Sequence, residues 1–254
     1  MTVDPETHHF TAHRGLSGRY PENTVHAFIA AADERFKAIE TDIWEVPGFF
    51  ERVDDRTGFV IMHNGDLSRM CGVDLPVKEL TQSVADTIRI SGGNGNRADI
   101  EYTIPTLEDF LEIMQRCDKE IVLEIKDEDI SREAAEKLIA VLDEGGSGGR
   151  AVLGSFHKRS LTTLKDILDG RDDYAFTKFI GTRDKLTVDE QIKWSADHGI
   201  DIISMRKTMI TDKILTDIKS YGMKLETWVV NDAAEAETLF ARGVDRITTN
   251  DVLW

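Results

Sequence analysis

Short, mostly apolar runs alternate along this chain with stretches in which apolar residues recur every three or four positions. From residue 105 onward the spacing predicts a helix over 107–116, a strand over 120–125 and a helix over 132–144. The turn GGSGG follows, then a strand over 151–154 and a helix over 158–168. Strands over 174–177, 200–204, 224–229 and 244–248 alternate with helices over 188–198, 212–221 and 233–242. Upstream, 8–12 reads as a first strand and 15–21 as a loop with two glycines, a serine and a proline. A helix over 25–35 places Val25, Phe28, Ile29, Ala32 and Phe36 at helical spacing, with Asn23 or Thr24 as its cap. A second strand covers 37–44. This alternation predicts a parallel sheet with helices packed outside it.

Residues 45–103 break the rhythm. Pro47, Gly48, the polar run ERVDDRTG and Gly58 predict an excursion into a hairpin, with a return strand over 59–62 that ends at His63. Beyond it come a short helix around 83–90 and the stretch SGGNGN (91–96), which reads as a flexible loop that carries little packing. Nine candidate strands compete for eight barrel positions. The hairpin strand is the extra one, because no helix separates it from the second strand. The expectation is an α/β fold: a TIM (β/α)8 barrel in a single domain over 1–254, with a small inserted hairpin/loop segment at about 45–103.

A chain of 254 residues, 41% hydrophobic and 31% charged, suits one large core. The formal net charge of −16 argues against a nucleic-acid surface and a polybasic membrane patch. It also means that an anionic substrate needs local cations to overcome a repulsive average field. Cys71 and Cys117 show no metal-ligand or redox spacing and read as plain thiols. The opening MTVDPETHHF has neither the basic nor the apolar region of a signal peptide, and no run has the length of a membrane span. The expected location is cytoplasmic, without stable membrane insertion, and the oligomeric state stays open.

In a barrel the chemistry gathers at the carboxyl ends of the strands, and His13, Glu40, Asp42, Glu124, Lys126 and Trp228 fall there or one step beyond. Glu40 and Asp42 are two apart, so their side chains leave the same strand face. Two carboxylates on an interior face are costly without a counter-charge, and Glu124 ends a run otherwise too apolar to leave a charge unexplained. Together they suit a hard divalent cation, Mg2+ or Ca2+, better than zinc, since no histidine or cysteine set completes a zinc site. The plain alternative is exposed strand carboxylates. His13 and His63 are candidates for general acid and base, Arg14 and Lys126 for the groups that neutralise an anion. Either cation can also serve as an ion-pair partner for the carboxylates. Trp228 either walls a ligand or packs at the barrel mouth, as does Phe156; Asn23 either caps or bonds back to the first loop.

The ordered set HRG (13–15), PENT (21–24), ExD (40–42) and an apolar strand ending in His63 resembles the glycerophosphodiester phosphodiesterase family. IPTLEDFLE, VLEIK, GSF, ETWVVN and GVDRITTND follow in that family's order over nearly the whole chain. The resemblance implies a metal-dependent hydrolysis of small-molecule glycerophosphodiesters to glycerol 3-phosphate and an alcohol, with His13 and His63 as its acid and base. Two other outcomes go with the same residues: a phospholipase-D-like lyase that releases a cyclic phosphate, and a barrel that binds phosphodiesters without turnover. One position departs: the family usually has aspartate after the histidine matching His63, and here stands Asn64.

Overall fold

A computed structural model of the chain describes residues 3–50, 58–97, 99–182 and 185–254. Eight parallel strands close into a ring: β1 (His9–Ala12), β2 (Ala38–Glu45), β4 (Glu120–Ile125), β5 (Ala151–Ser155), β6 (Ala175–Ile180), β7 (Ile202–Arg206), β8 (Lys224–Trp228) and β9 (Arg246–Thr249), with β9 and β2 both paired to β1. This is the TIM barrel that the alternation predicts. The helices α1 (Val25–Asp33), α4 (Leu107–Met114), α5 (Arg132–Glu144), α6 (Lys158–Leu168), α7 (Val188–Asp197), α8 (Asp212–Ser220) and α9 (Ala233–Ala241) connect the strands. Most start at a residue whose side-chain oxygen takes a first-turn N–H, as Thr24, Thr106, Ser131, Thr187, Thr211 and Asp232 do.

Side chains alternate across each strand, and the barrel uses the two faces differently. On β2, Ile39 and Ile43 face the apolar layer under the helices, together with Ile121, Leu123, Leu153, Ile203 and Leu225 of neighbouring strands. The other face of β2 carries Ala38, which packs with Val122, Val152 and Ile202 in a small interior cluster. One step further up that face comes Glu40, then Asp42. At Gly154 of β5 a Cβ would stand 2.5 Å from Thr177 Cγ2 and from Phe179, so only glycine fits.

The extra strand β3 (Phe59–Ile61) lies outside the ring and runs antiparallel to β2, pairing Ile43 with Ile61 and Glu45 with Phe59. Strand β1 covers only Ala38 and Ile39 on the same edge of β2. The stretch of β2 between the two, Glu40 to Asp42, is therefore bracketed by the end of β1 and the end of β3, which puts His13 and His63 on either side of it. The hairpin and the segment after it form a second apolar cluster that includes Val46, Val60, Met62, Leu67, Met70 and Tyr102. It holds two short helices, α2 (Ser68–Cys71) and α3 (Gln82–Ala85), the first not apparent from the sequence and the second shorter than expected. The polar run of the expected excursion, 51–57, lies outside the described residues.

The SGGNGN stretch differs from expectation. Ser91 N and Gly92 N both donate to the Met70 carbonyl at 2.8 Å, and Asn94 Nδ2 donates to Ser17 O at 3.0 Å. A Cβ on Gly95 would collide with the Arg19 carbonyl oxygen. The glycines permit close backbone contact with α2 and the first loop, and the segment is a strap rather than a free linker.

Candidate active site

His13, Arg14, Glu40, His63, Glu124 and Trp228 line one cavity of about 270 Å3 at the carboxyl end of the barrel. Asp42 and Lys126 contact lining residues: Arg14 Nε lies 3.1 Å from Asp42 Oδ2, and Lys126 Nζ donates to Glu124. Carboxylate oxygens of Glu40, Asp42 and Glu124 all lie within 4.8 Å of one another, and the three residues are buried. The strand register explains it: Asp42 and Glu124 are direct neighbours on β2 and β4.

Each carboxylate is held differently. Glu40 Oε2 accepts from the backbone N–H of Arg14 at 2.9 Å. Asp42 Oδ2 accepts from Asn23 Nδ2 at 2.8 Å, with Arg14 Nε at 3.1 Å. Glu124 Oε1 accepts from Lys126 Nζ at 2.5 Å, and the same ammonium lies 3.3 Å from Asp42 Oδ1. Asp42 Oδ1 is buried and has no hydrogen-bond partner among the described residues. An orphaned carboxylate oxygen within a cluster of three is what a hard divalent cation requires, so these residues fit one.

Burial opposes the charge on Asp42, but Lys126, Arg14 and His63 outweigh it and hold the carboxyl well below the usual carboxylate range. Burial, with Asp42 beside it, pushes Glu40 well up, and Glu124 rises to about 7 mainly through burial. Burial works against the charge of Lys126, yet Asp42 and Glu124 hold its pKa up.

Asn23 bonds back to the first loop and leaves the capping to its neighbour. Its backbone N–H donates to Arg14 O at 3.0 Å, and its side-chain oxygen accepts from Thr41 Oγ1 at 3.0 Å. Thr24 is the cap of α1. Arg14, with φ of +57°, is gripped by Glu22 through Nη1 at 2.8 Å. Glu22 in turn takes two bonds from Arg69, whose Nε donates to Asn64 Oδ1 at 2.8 Å.

The two histidines are oriented alike. His13 Nδ1 is 2.7 Å from Asn250 Oδ1, and His63 Nδ1 is 3.2 Å from Asn64 Oδ1. Each amide oxygen accepts the Nδ1 proton, which leaves Nε2 of the neutral ring as a lone pair. Burial and then Arg14 lower the His13 pKa to about 4. Burial also lowers that of His63, against the pull of Asp42.

Trp228 and Phe156 meet edge to face at 6.0 Å on the cavity wall, and Arg206 lies over the Trp228 ring at 5.4 Å. The floor holds Glu226, whose Oε1 accepts from Thr11 Oγ1 at 3.1 Å and Thr248 Oγ1 at 3.0 Å. Sequence reasoning missed Asn250, Glu22, Arg69, Arg206 and Glu226 as parts of this site. Glu226 carried a signal, being a carboxylate on the same strand face as Trp228. Asn250 lies inside the GVDRITTND run that carries the resemblance, but an uncharged amide in a loop declares its role only through its neighbour.

The model of the glycerophosphoryl diester phosphodiesterase family matches residues 13–253. The chain belongs to that family. A glycerophosphodiester phosphodiesterase of Caldanaerobacter subterraneus is 26% identical over 243 residues, covering 94% of this chain and 93% of the relative. An Oleispira antarctica phosphodiesterase, solved in complex with sn-glycerol-3-phosphate, superposes with a TM-score of 0.78 at 21% identity over 95% of this chain and 92% of its own. A glycerophosphodiester phosphodiesterase from Agrobacterium tumefaciens gives 0.74 at 20% identity over 96% of both chains. At these identities the structural likeness shows a shared fold. Among the described residues no helix is long and apolar enough to cross a membrane.

Proposed function

We propose that this family member is a metal-dependent phosphodiesterase that hydrolyses glycerophosphodiesters to glycerol 3-phosphate and an alcohol. The observation that carries the reading is the buried Glu40–Asp42–Glu124 cluster flanked by His13 and His63 in one cavity. Charge supports it. Three carboxylates against Arg14 and Lys126 leave one negative charge in excess when all are ionised. A divalent cation reverses that to one positive, which a phosphodiester monoanion neutralises.

Glu40, Asp42 and Glu124 would hold Mg2+ or Ca2+, which supplies Lewis-acid polarisation of the phosphoryl group when bound. His13, neutral and with its Nδ1 proton tied to Asn250, takes a proton from the attacking water at Nε2. His63, whose pKa burial lowers against the pull of the Asp42 carboxylate, would take up a second proton at Nε2 and return it to the leaving alcohol oxygen. Lys126 meets a nonbridging oxygen as a point charge. Arg14 Nη2, which has no hydrogen-bond partner among the described residues, meets another. Trp228 and Phe156 give the organic part of the substrate an apolar wall.

Exhaustive chelation should abolish turnover, and Mg2+ or Ca2+ should restore it. Phosphorus NMR of the products then reads glycerol 3-phosphate directly. A cyclic phosphate would overturn the hydrolytic assignment in favour of the lyase, and full activity of a metal-free sample would overturn the metal's part.

A further inference from the structure

Phe156, Arg206 and Trp228, which wall the site cavity, also line a larger cavity of about 770 Å3. The two spaces therefore share one aromatic rim. Beyond that rim stand His157 and Lys185. Among the described lining residues the formal charges belong to Lys185 and Arg206, and none is a carboxylate. Nearby cations are taken up by partners, as Lys207 is by Glu235 at 2.5 Å. Lys185 and Arg206 have no ion pair among the described residues, and the contact Arg206 makes is with the face of Trp228. A further positive charge lies behind the rim, where the buried Lys178 ammonium donates to the carbonyls of Phe156 at 2.8 Å and Phe179 at 2.7 Å.

We propose that this second cavity receives the alcohol half of the diester and selects alcohols that carry an anionic group of their own, a carboxylate or a further phosphate. The proposal rests on the phosphodiesterase reading above. Arg206 lines the cavity with its guanidinium carbon 5.4 Å from the Trp228 ring centroid, and a guanidinium can pair two N–H groups with two anionic oxygens. Lys185 adds a mobile point charge on the same space. A quaternary ammonium head group would need an open aromatic face, and the face of Trp228 is covered by a guanidinium. The cation–carboxylate attraction also opposes the average repulsion that a chain of this charge exerts on an anion.

Glycerophosphoserine and glycerophosphoethanolamine differ by one carboxylate and make the test pair. The wild-type enzyme with its divalent cation should favour the serine diester in kcat/KM by about tenfold, chiefly through KM. Lys185→Gln, at a residue that lines the second cavity and not the first, should lower that ratio several-fold and leave the ethanolamine constants as they were, and Arg206→Gln added to it should bring the ratio close to one. A phosphate-bearing alcohol, tested as glycerophosphoglycerol against its terminal phosphate monoester, should show the same loss. Equal use of the first pair by the wild type, or a preference that survives the double substitution, overturns the proposal. If no glycerol diester turns over, it is the phosphodiesterase reading that fails. Calorimetric titration with the same two compounds then decides the subsite: tighter binding of glycerophosphoserine that the double variant loses supports it, and equal binding overturns it.

Discussion

Asp42 and Glu226 are both buried carboxyls of the barrel interior, and their surroundings treat them in opposite ways. Asp42 meets Lys126, Arg14 and an asparagine amide and stays ionised. Glu226 meets only hydroxyls, so burial raises its pKa with no cation to oppose it. Proton linkage sets the sign. Above the unfolded pKa, near 4.3, the folded chain binds more protons at Glu226 than the unfolded chain, so stability falls as pH rises through that window. Glu226→Gln should therefore raise the melting temperature at pH 7 and lose that advantage near pH 4, with about 2–4 °C for each kcal/mol recovered. An identical melting curve at both pH values would show that Glu226 is no burden. His9 and His13 carry the opposite sign. Burial lowers them to about 2 and about 4, so the folded form resists protonation and loses stability as pH falls below about 6.5. For catalysis, His13→Ala and His63→Ala should each lower kcat by about a hundredfold or more, and the double variant should be little worse than either single one. A diester with a nitrophenolate leaving group should rescue His63→Ala and not His13→Ala, because a good leaving group needs no acid. Rescue of the other variant would exchange their roles.

At the scale of elements, the first loop is held from two sides. Asn23 ties it to β2, and the 91–96 strap closes over it through Asn94 and Ser17. This loop supplies both His13 and the Arg14 N–H that Glu40 accepts, so its position sets the cluster. Gly95→Ala places a methyl group into the Arg19 carbonyl at a left-handed φ of +59°. The expected cost is about 1–3 kcal/mol, read as a lower melting midpoint, with turnover reduced through misplacement of His13. Unchanged melting would mean that the strap does not bear on the loop. Hairpin strand β3 works in the same sense: its pairing with the upper half of β2, together with the Trp44 Nε1 bond to Met62 O at 2.8 Å, delivers His63 to the site.

For the molecule as a whole, the proposed cation would tie the stability of the fold to the cluster of three buried carboxylates. A cation that binds the folded chain alone stabilises it by about 2.7 kcal/mol at a hundredfold excess over Kd. Melting temperature should rise with added Mg2+ or Ca2+ in the wild type, and Asp42→Asn should abolish the rise while retaining the fold. A variant that still responds in full would place the cation elsewhere.

The barrel was legible from the chain by itself, because a strand buried against helices must be apolar on that face and its period of two differs from the helical period. Glu40, Asp42 and Glu124 were legible for the same reason, as charges at the ends of strands that otherwise exclude them. Contacts between residues far apart in the chain were not. Nothing near Asn250 says that it faces His13, nothing in SGGNGN says that it covers residue 19, and nothing around Arg206 says that its guanidinium lies on Trp228. Local spacing determines which face a side chain leaves. Only closure of the ring decides what stands opposite it.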